Sequence, residues 1–220
     1  MSATPVRELE LPPHRLGAFL GLPHEPQGIV IFAHGSGSSR FSPRNAFVAR
    51  ALERSGFATL LFDLLTPAEA IDRRRVFDIP LLAQRLLEAI QFVRAHPPVR
   101  SLPIGLFGAS TGAAAALVAA AELPQEVAAV VSRGGRPDLA GAALSRVMAP
   151  TLLVVGERDE TVLELNRLAM RQMICEVRLE IVPGATHLFE EPGTLEQVVS
   201  LATDWFRRYL RPTAGSSREK

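Results

Sequence analysis

Five consecutive residues, Gly108-Ala109-Ser110-Thr111-Gly112, set a serine hydroxyl between two glycines. A hydroxyl is a weak nucleophile until a neighbouring base accepts its proton, and that base needs an acid to orient it. The pattern G-x-S-x-G suits this chemistry only when a strand leads into it and a helix leads out. Leu102-Pro103-Ile104-Gly105-Leu106-Phe107, short and apolar, reads as the strand. The alanine-rich run 113–121 reads as the helix. The glycines let the backbone turn without Cβ clashes, and the serine then stands at the strand's C-terminal edge, near the positive end of a helix dipole. An ordinary tight turn with an idle serine is the competing reading, and the rest of the chain weighs against it.

In one arrangement of the triad the residues run serine, acid, histidine along the chain. Two later apolar strands end where such partners belong. Thr151-Leu152-Leu153-Val154-Val155 is followed by Gly156-Glu157-Arg158-Asp159, and Leu179-Glu180-Ile181-Val182 by Pro183-Gly184-Ala185-Thr186-His187. In a parallel sheet those C-terminal ends share one edge with Ser110. Ser110, Asp159 and His187 are therefore the candidate catalytic residues. Asp159 could instead cap a helix, with Glu157 or Glu160 as the acid, and His187 could be a loop histidine bonded to backbone. His34, at another strand end, is read as shaping a loop rather than as the base. His14, His24 and His96 stand beside prolines and read as surface residues.

Acyl transfer builds an oxyanion that needs two backbone N–H donors. Thr111, the residue after the serine, supplies one. The early loop His34-Gly35-Ser36-Gly37-Ser38-Ser39-Arg40 supplies the other, with Ser36 as the expected donor and Gly35 or Gly37 as neighbours that could replace it. The same loop could cradle a phosphate. It lacks the Gly-Lys-Ser/Thr of a P-loop, and Arg40 stands where G-x-G-x-x-G needs its third glycine.

These loops must be carried by alternating elements. Strands are expected at 6–11, 15–22, 28–33, 58–62, 103–107, 128–132, 151–155 and 178–182, the first two as an edge hairpin. Helices are expected at 43–55, 81–95, 111–123, 139–147, 162–174 and 194–210. This alternation predicts a mostly parallel sheet with helices on both faces. Residues 64–80, with Pro67 and three successive arginines at 73–75, read as a long loop at a substrate rim or on the solvated surface. Trp205, Phe206 and Tyr209 read as packing on the core or on a partner subunit. Residues 1–211 are taken as one domain and 212–220 as a polar, disordered tail.

The 220 residues carry a formal net charge of +1, which offers no bulk attraction to nucleic acid or an anionic membrane. One cysteine, Cys175, excludes an intrachain disulfide. It is read as lying on a helix. No secretory leader or apolar run of about 18 residues is visible, so a cytoplasmic protein is expected.

These stretches, together with Phe62-Asp63-Leu64-Leu65-Thr66, Ser132-Arg133-Gly134-Gly135-Arg136-Pro137-Asp138 and His187-Leu188-Phe189-Glu190, resemble the dienelactone-hydrolase-like branch of the α/β-hydrolase superfamily. The resemblance spans almost the whole chain in family order. It implies an open sheet of about seven or eight strands, no large lid domain, no cofactor and no metal. It departs from the name-giving enzymes at the elbow, where they carry a cysteine and this chain has Ser110, a substitution closer to a carboxylesterase. The expected reaction is hydrolysis of a small carboxylic ester. A lactone, thioester or amide on the same triad, or a non-catalytic binding protein, are the alternatives. Haloalkane dehalogenases and epoxide hydrolases of this fold use an aspartate where Ser110 stands. Asp63 is expected to anchor the 64–80 segment. Arg40 and Arg133 are read as ion-pairing residues, with attraction of an anionic substrate group as the other role.

Overall fold

The computed structural model describes residues 4–211, so the tail at 212–220 lies outside the described residues. One eight-stranded sheet forms the centre, in the order β1-β2-β4-β3-β5-β6-β7-β8. β1 (Val6–Leu11) and β2 (Leu16–Gly21) make the antiparallel hairpin at the edge. β2 joins β4 (Ala58–Phe62) antiparallel. From β4 onward, β3 (Ile29–Ala33), β5 (Ile104–Ala109), β6 (Val127–Arg133), β7 (Thr151–Gly156) and β8 (Val177–Val182) run parallel. The inner strands β3, β4, β5 and β7 are buried along their whole length, as a sheet covered on both faces requires.

Two apolar layers cover it. α1 (Pro43–Arg54) and α7 (Thr194–Tyr209) pack one face over Phe32, Phe57, Phe107 and Trp205. α4 (Ile79–Ala95), α5 (Thr111–Glu122) and α6 (Glu160–Met170) pack the other, over Ile31, Leu60 and Leu106. Trp205 and Phe206 belong to the core of this chain, and Tyr209 stacks on Trp205 with ring centroids 4.8 Å apart. Among the described residues no helix is long and apolar enough to cross a membrane, and no large lid domain interrupts the sheet.

Three local expectations are corrected. Residues 64–80 are not a loop but carry two short helices, α2 (Pro67–Ala70) and α3 (Arg73–Val76). Thr66 and Glu69 close a capping box on α2, and Glu69 also accepts from Arg85 on α4 at 3.0 Å, tying the segment to the body. The expected helix at 139–147 is a 3-10 segment, Pro137–Arg146, interrupted where Gly141 turns to φ 52°. Cys175 is not helical: α6 ends at Met170, and Cys175 sits near Thr151 at the start of β7, the sheet edge opposite Ser110.

β3 connects to α1 on one face and β5 to α5 on the other, while the two strands are neighbours with Ala33 opposite Gly108. The chain therefore diverges at their C-terminal ends and leaves a crevice there. Open α/β sheets place their ligands at such a point.

Candidate active site

Ser110 occupies the sharp turn between β5 and α5 at φ 50°, ψ −122°. A non-glycine residue in this region is strained by about 1–3 kcal/mol. Packing imposes it: a Cβ on Gly108 would collide with the backbone of Ala113, and one on Gly112 with the carbonyls of Ala33 and His34. Both glycines of the motif are thus close-packing requirements. The Ser110 N–H donates to the Arg133 carbonyl (3.3 Å), and its carbonyl accepts from the N–H of Arg136 (3.0 Å).

The early loop folds over the serine. Gly35 lies so close that a Cβ there would stand 3.0 Å from that of Ser110. Ser36 and Thr111 line the crevice. As the first residue of α5, Thr111 has an N–H with no acceptor in a preceding turn. Two anchors hold the loop. His34 Nε2 accepts from the N–H of Leu64 (3.0 Å), which leaves Nδ1 as the protonated nitrogen, donating to the Gly35 carbonyl (3.0 Å). Both ring nitrogens are engaged, so His34 shapes the loop, as expected, and is unavailable as a base. Burial pushes its pKa down and keeps it neutral. The second anchor is Asp63, which accepts from the Arg40 N–H (2.7 Å) and forms an ion pair with the Arg40 guanidinium. Asp63 therefore anchors this loop rather than the 64–80 segment.

Asp159 and His187 meet at the same edge. The Nδ1–H of His187 donates to Asp159 Oδ2 at 2.6 Å. Asp159 begins α6 but makes no side-chain cap bond, so its carboxylate is committed to the histidine. The other candidate acid, Glu157, accepts from the N–H of Gly184 (2.7 Å) instead. The two loops approach because Gly156 has no Cβ to strike the Ala185 carbonyl, and Arg158 N–H donates to that carbonyl (2.9 Å). Beyond the histidine, buried Phe189 holds the loop down. Ser110 and His187 line one cavity. No hydrogen bond joins them, and such contacts are commonly loose before substrate binds.

Two chambers flank the early loop. One, of about 330 Å³, is apolar and walled by Leu64, Leu65, Pro67, Ala70 and Val76, so the 64–80 segment does form a rim. The other, of about 240 Å³, holds Ser110, His187, Arg44 and Arg133. The ion-pair expectation holds for Arg40 and fails for Arg133, which meets no carboxylate among the described residues. Burial, and secondarily the charge of Arg44, push the Arg133 guanidinium down from 12.5 to about 10. Sequence reasoning missed Arg44. The available signal was a cation in the first turn of a helix, where the dipole disfavours it.

Comparison with known proteins agrees with this geometry. Residues 26–202 match the family described as "Alpha/beta hydrolase domain". The crystal structure of a dienelactone hydrolase from Anabaena variabilis superposes with a TM-score of 0.91 at 52% identity, covering 96% of this chain and all of that one. Est1E from Butyrivibrio proteoclasticus superposes at 0.77 with 18% identity, covering 92% and 98% of the two chains, a likeness of fold alone. Proteins of two Mycobacterium tuberculosis strains, provisionally named phosphoribosyl transferases, are 60% identical over 198 residues. That match covers 90% of this chain and 45% of theirs, so the chain spans about half the length of these curated relatives.

Proposed function

The chain belongs to the α/β-hydrolase superfamily as a dienelactone-hydrolase-like member, and from that premise we propose that it is a serine hydrolase of small carboxylic esters. One observation carries the reading. Ser110 is held at φ 50° in the same cavity as a histidine whose Nδ1–H is bound to Asp159. That bond leaves His187 Nε2 free to accept a proton.

In the proposed reaction Ser110 Oγ attacks the acyl carbon while His187 Nε2 takes its proton. The carbonyl oxygen becomes an oxyanion, held by the N–H groups of Ser36 and Thr111, each contributing about 3 kcal/mol to the transition state. His187 then protonates the leaving alcohol, and the acyl-enzyme forms. Water, deprotonated by the same histidine, attacks the acyl carbon and releases the acid and Ser110. Asp159 fixes the tautomer and stabilises the imidazolium. The apolar chamber takes an uncharged substrate group, which suits a small molecule. Residues 1–211 act as one catalytic domain in this reading.

A lactone is the second reading, favoured by the 52% identity to a dienelactone hydrolase; it needs the same tetrahedral chemistry. The transferase name attaches to proteins of which this chain matches under half. We assign that activity to their unmatched portion. The test is a p-nitrophenyl ester series from acetate upward, with fluorophosphonate labelling, beside Ser110→Ala. Turnover and labelling that vanish in the folded variant support the serine hydrolase. Turnover that persists there overturns it.

A further inference from the structure

A guanidinium removed from water needs an acceptor, because a buried unpaired charge is costly. Arg133, the last residue of β6, is only 8% exposed, yet none of its side-chain nitrogens has a hydrogen-bond partner and no carboxylate pairs with it among the described residues. Its Nη1 is buried and unpartnered. Arg44, on the facing helix α1, repeats the pattern: Nε is buried and unpartnered, while Nη1 reaches out to the exposed Glu190 at 3.0 Å. Both arginines line the chamber that also holds Ser110 and His187, together with the hydroxyl-bearing Ser36 and Ser38. No acidic residue lines that chamber. The one carboxylate of the candidate triad, Asp159, is engaged by His187.

The chamber thus offers two cations and no counter-charge. We propose that Arg133, with Arg44 at its mouth, is an anion subsite, so that the preferred substrates carry a carboxylate or phosphate group near the scissile ester. This rests on the serine-hydrolase reading and narrows its substrate class. At about 240 Å³ the chamber is below the usual range for ligand pockets of roughly 300–1,000 Å³, so anion and reacting carbonyl must lie a few bonds apart in one small molecule. Gly35, Ser36 and Ser38 also wall the apolar chamber, which takes the remaining uncharged part. Arg133 is tied to the nucleophile through its own carbonyl, which accepts the Ser110 N–H. A bound anion is therefore held in fixed register with Ser110.

The experiment compares kcat/KM for three esters of similar length: p-nitrophenyl butyrate, mono-p-nitrophenyl succinate and p-nitrophenyl 3-phosphonopropanoate. Wild type, Arg133→Met, Arg133→Lys and Arg44→Met are used, with folding checked by circular dichroism. Wild type is expected to favour one of the anionic esters tenfold or more. The succinate or the phosphonate arm leading identifies the anion. Arg133→Met brings the ratio towards one, Arg133→Lys keeps part of it, and Arg44→Met lowers it less. If Arg133→Met fails to fold, the lysine and Arg44 variants carry the comparison. Equal turnover of charged and neutral esters by wild type overturns the subsite and leaves the hydrolase reading standing. Titration calorimetry with inorganic phosphate and with monomethyl succinate gives an activity-independent arm. Binding that weakens in Arg133→Lys supports the subsite even if no ester is cleaved, in which case the hydrolase reading fails alone. No binding and no anionic preference overturns the subsite.

Discussion

Arg40 and Arg133 stand at the same edge of one sheet, on either side of Ser110, and the protein treats them oppositely. Arg40 is closed off. Its guanidinium pairs with Asp63, reaches Glu8 at 3.5 Å and lies over the rings of Phe41 and Phe19 at 4.3 and 5.2 Å. Arg133 is more deeply buried and has no counter-charge. A cation answered by the protein's own carboxylate fixes a loop, here the loop carrying Ser36. A cation left unanswered beside a nucleophile carries a desolvation cost without a structural return, and it is suited to hold a ligand. The difference separates scaffold from recognition within one layer of the molecule.

The comparison presumes that Ser110 is the reacting atom between the two arginines. Removing that hydroxyl has the largest expected effect: Ser110→Ala lowers kcat by about 10⁶-fold, with thermal unfolding unchanged within error. Asp159→Asn lowers kcat by about 10⁴-fold while the fold persists, because the asparagine amide favours the wrong imidazole tautomer. A fall of tenfold or less would make Asp159 a simple loop anchor.

The sharpest cut between the arginines is a stability measurement. Asp63→Asn strands Arg40 and is expected to cost roughly 2–3 kcal/mol in urea unfolding. That is below the about 3–5 of a fully buried pair, since both side chains are one-fifth exposed. Arg133→Met is expected to leave stability unchanged or raise it by about 1 kcal/mol, since an unpaired buried charge is removed. Equal losses in the two variants would erase the distinction drawn above.

The smallest effect concerns the second anchor of the Ser36 loop. Burial lowers the His34 pKa, so the fold prefers neutral imidazole. The associated stability is fully present above the unfolded value of about 6.5 and is lost as pH falls through the depressed folded value. Unfolding midpoints should decline as pH falls from 7 to 5, with a shallower slope in His34→Gln. Parallel slopes would remove His34 from the acid response.

Much of the fold was legible because its signals are local. Short apolar runs such as 151–155, broken by Gly and Pro, mark buried parallel strands, and the alternation with helices sets their order. The elbow was legible because steric demands on Gly108 and Gly112 are written in residue type. Residues 64–80 were misread because α2 and α3 have four residues each, too few to show a period, and rest on the long-range Glu69–Arg85 pair. The segment at 137–146 has a helical pattern, but Gly141 breaks it with a positive φ that a pattern does not reveal.

By itself, then, the sequence determined the sheet class, the turn at Ser110, and the order in which Asp159 and His187 follow it. The tertiary structure decided which acid the histidine takes, Asp159 over Glu157, and which arginine is answered, Arg40 by Asp63 and Arg133 by nothing in the chain. Backbone preference and steric fit act over a few residues and can be read from neighbours in sequence. Whether a charge meets its opposite depends on groups far apart in sequence, such as Arg40 and Asp63, and only folding brings them within reach or keeps them apart.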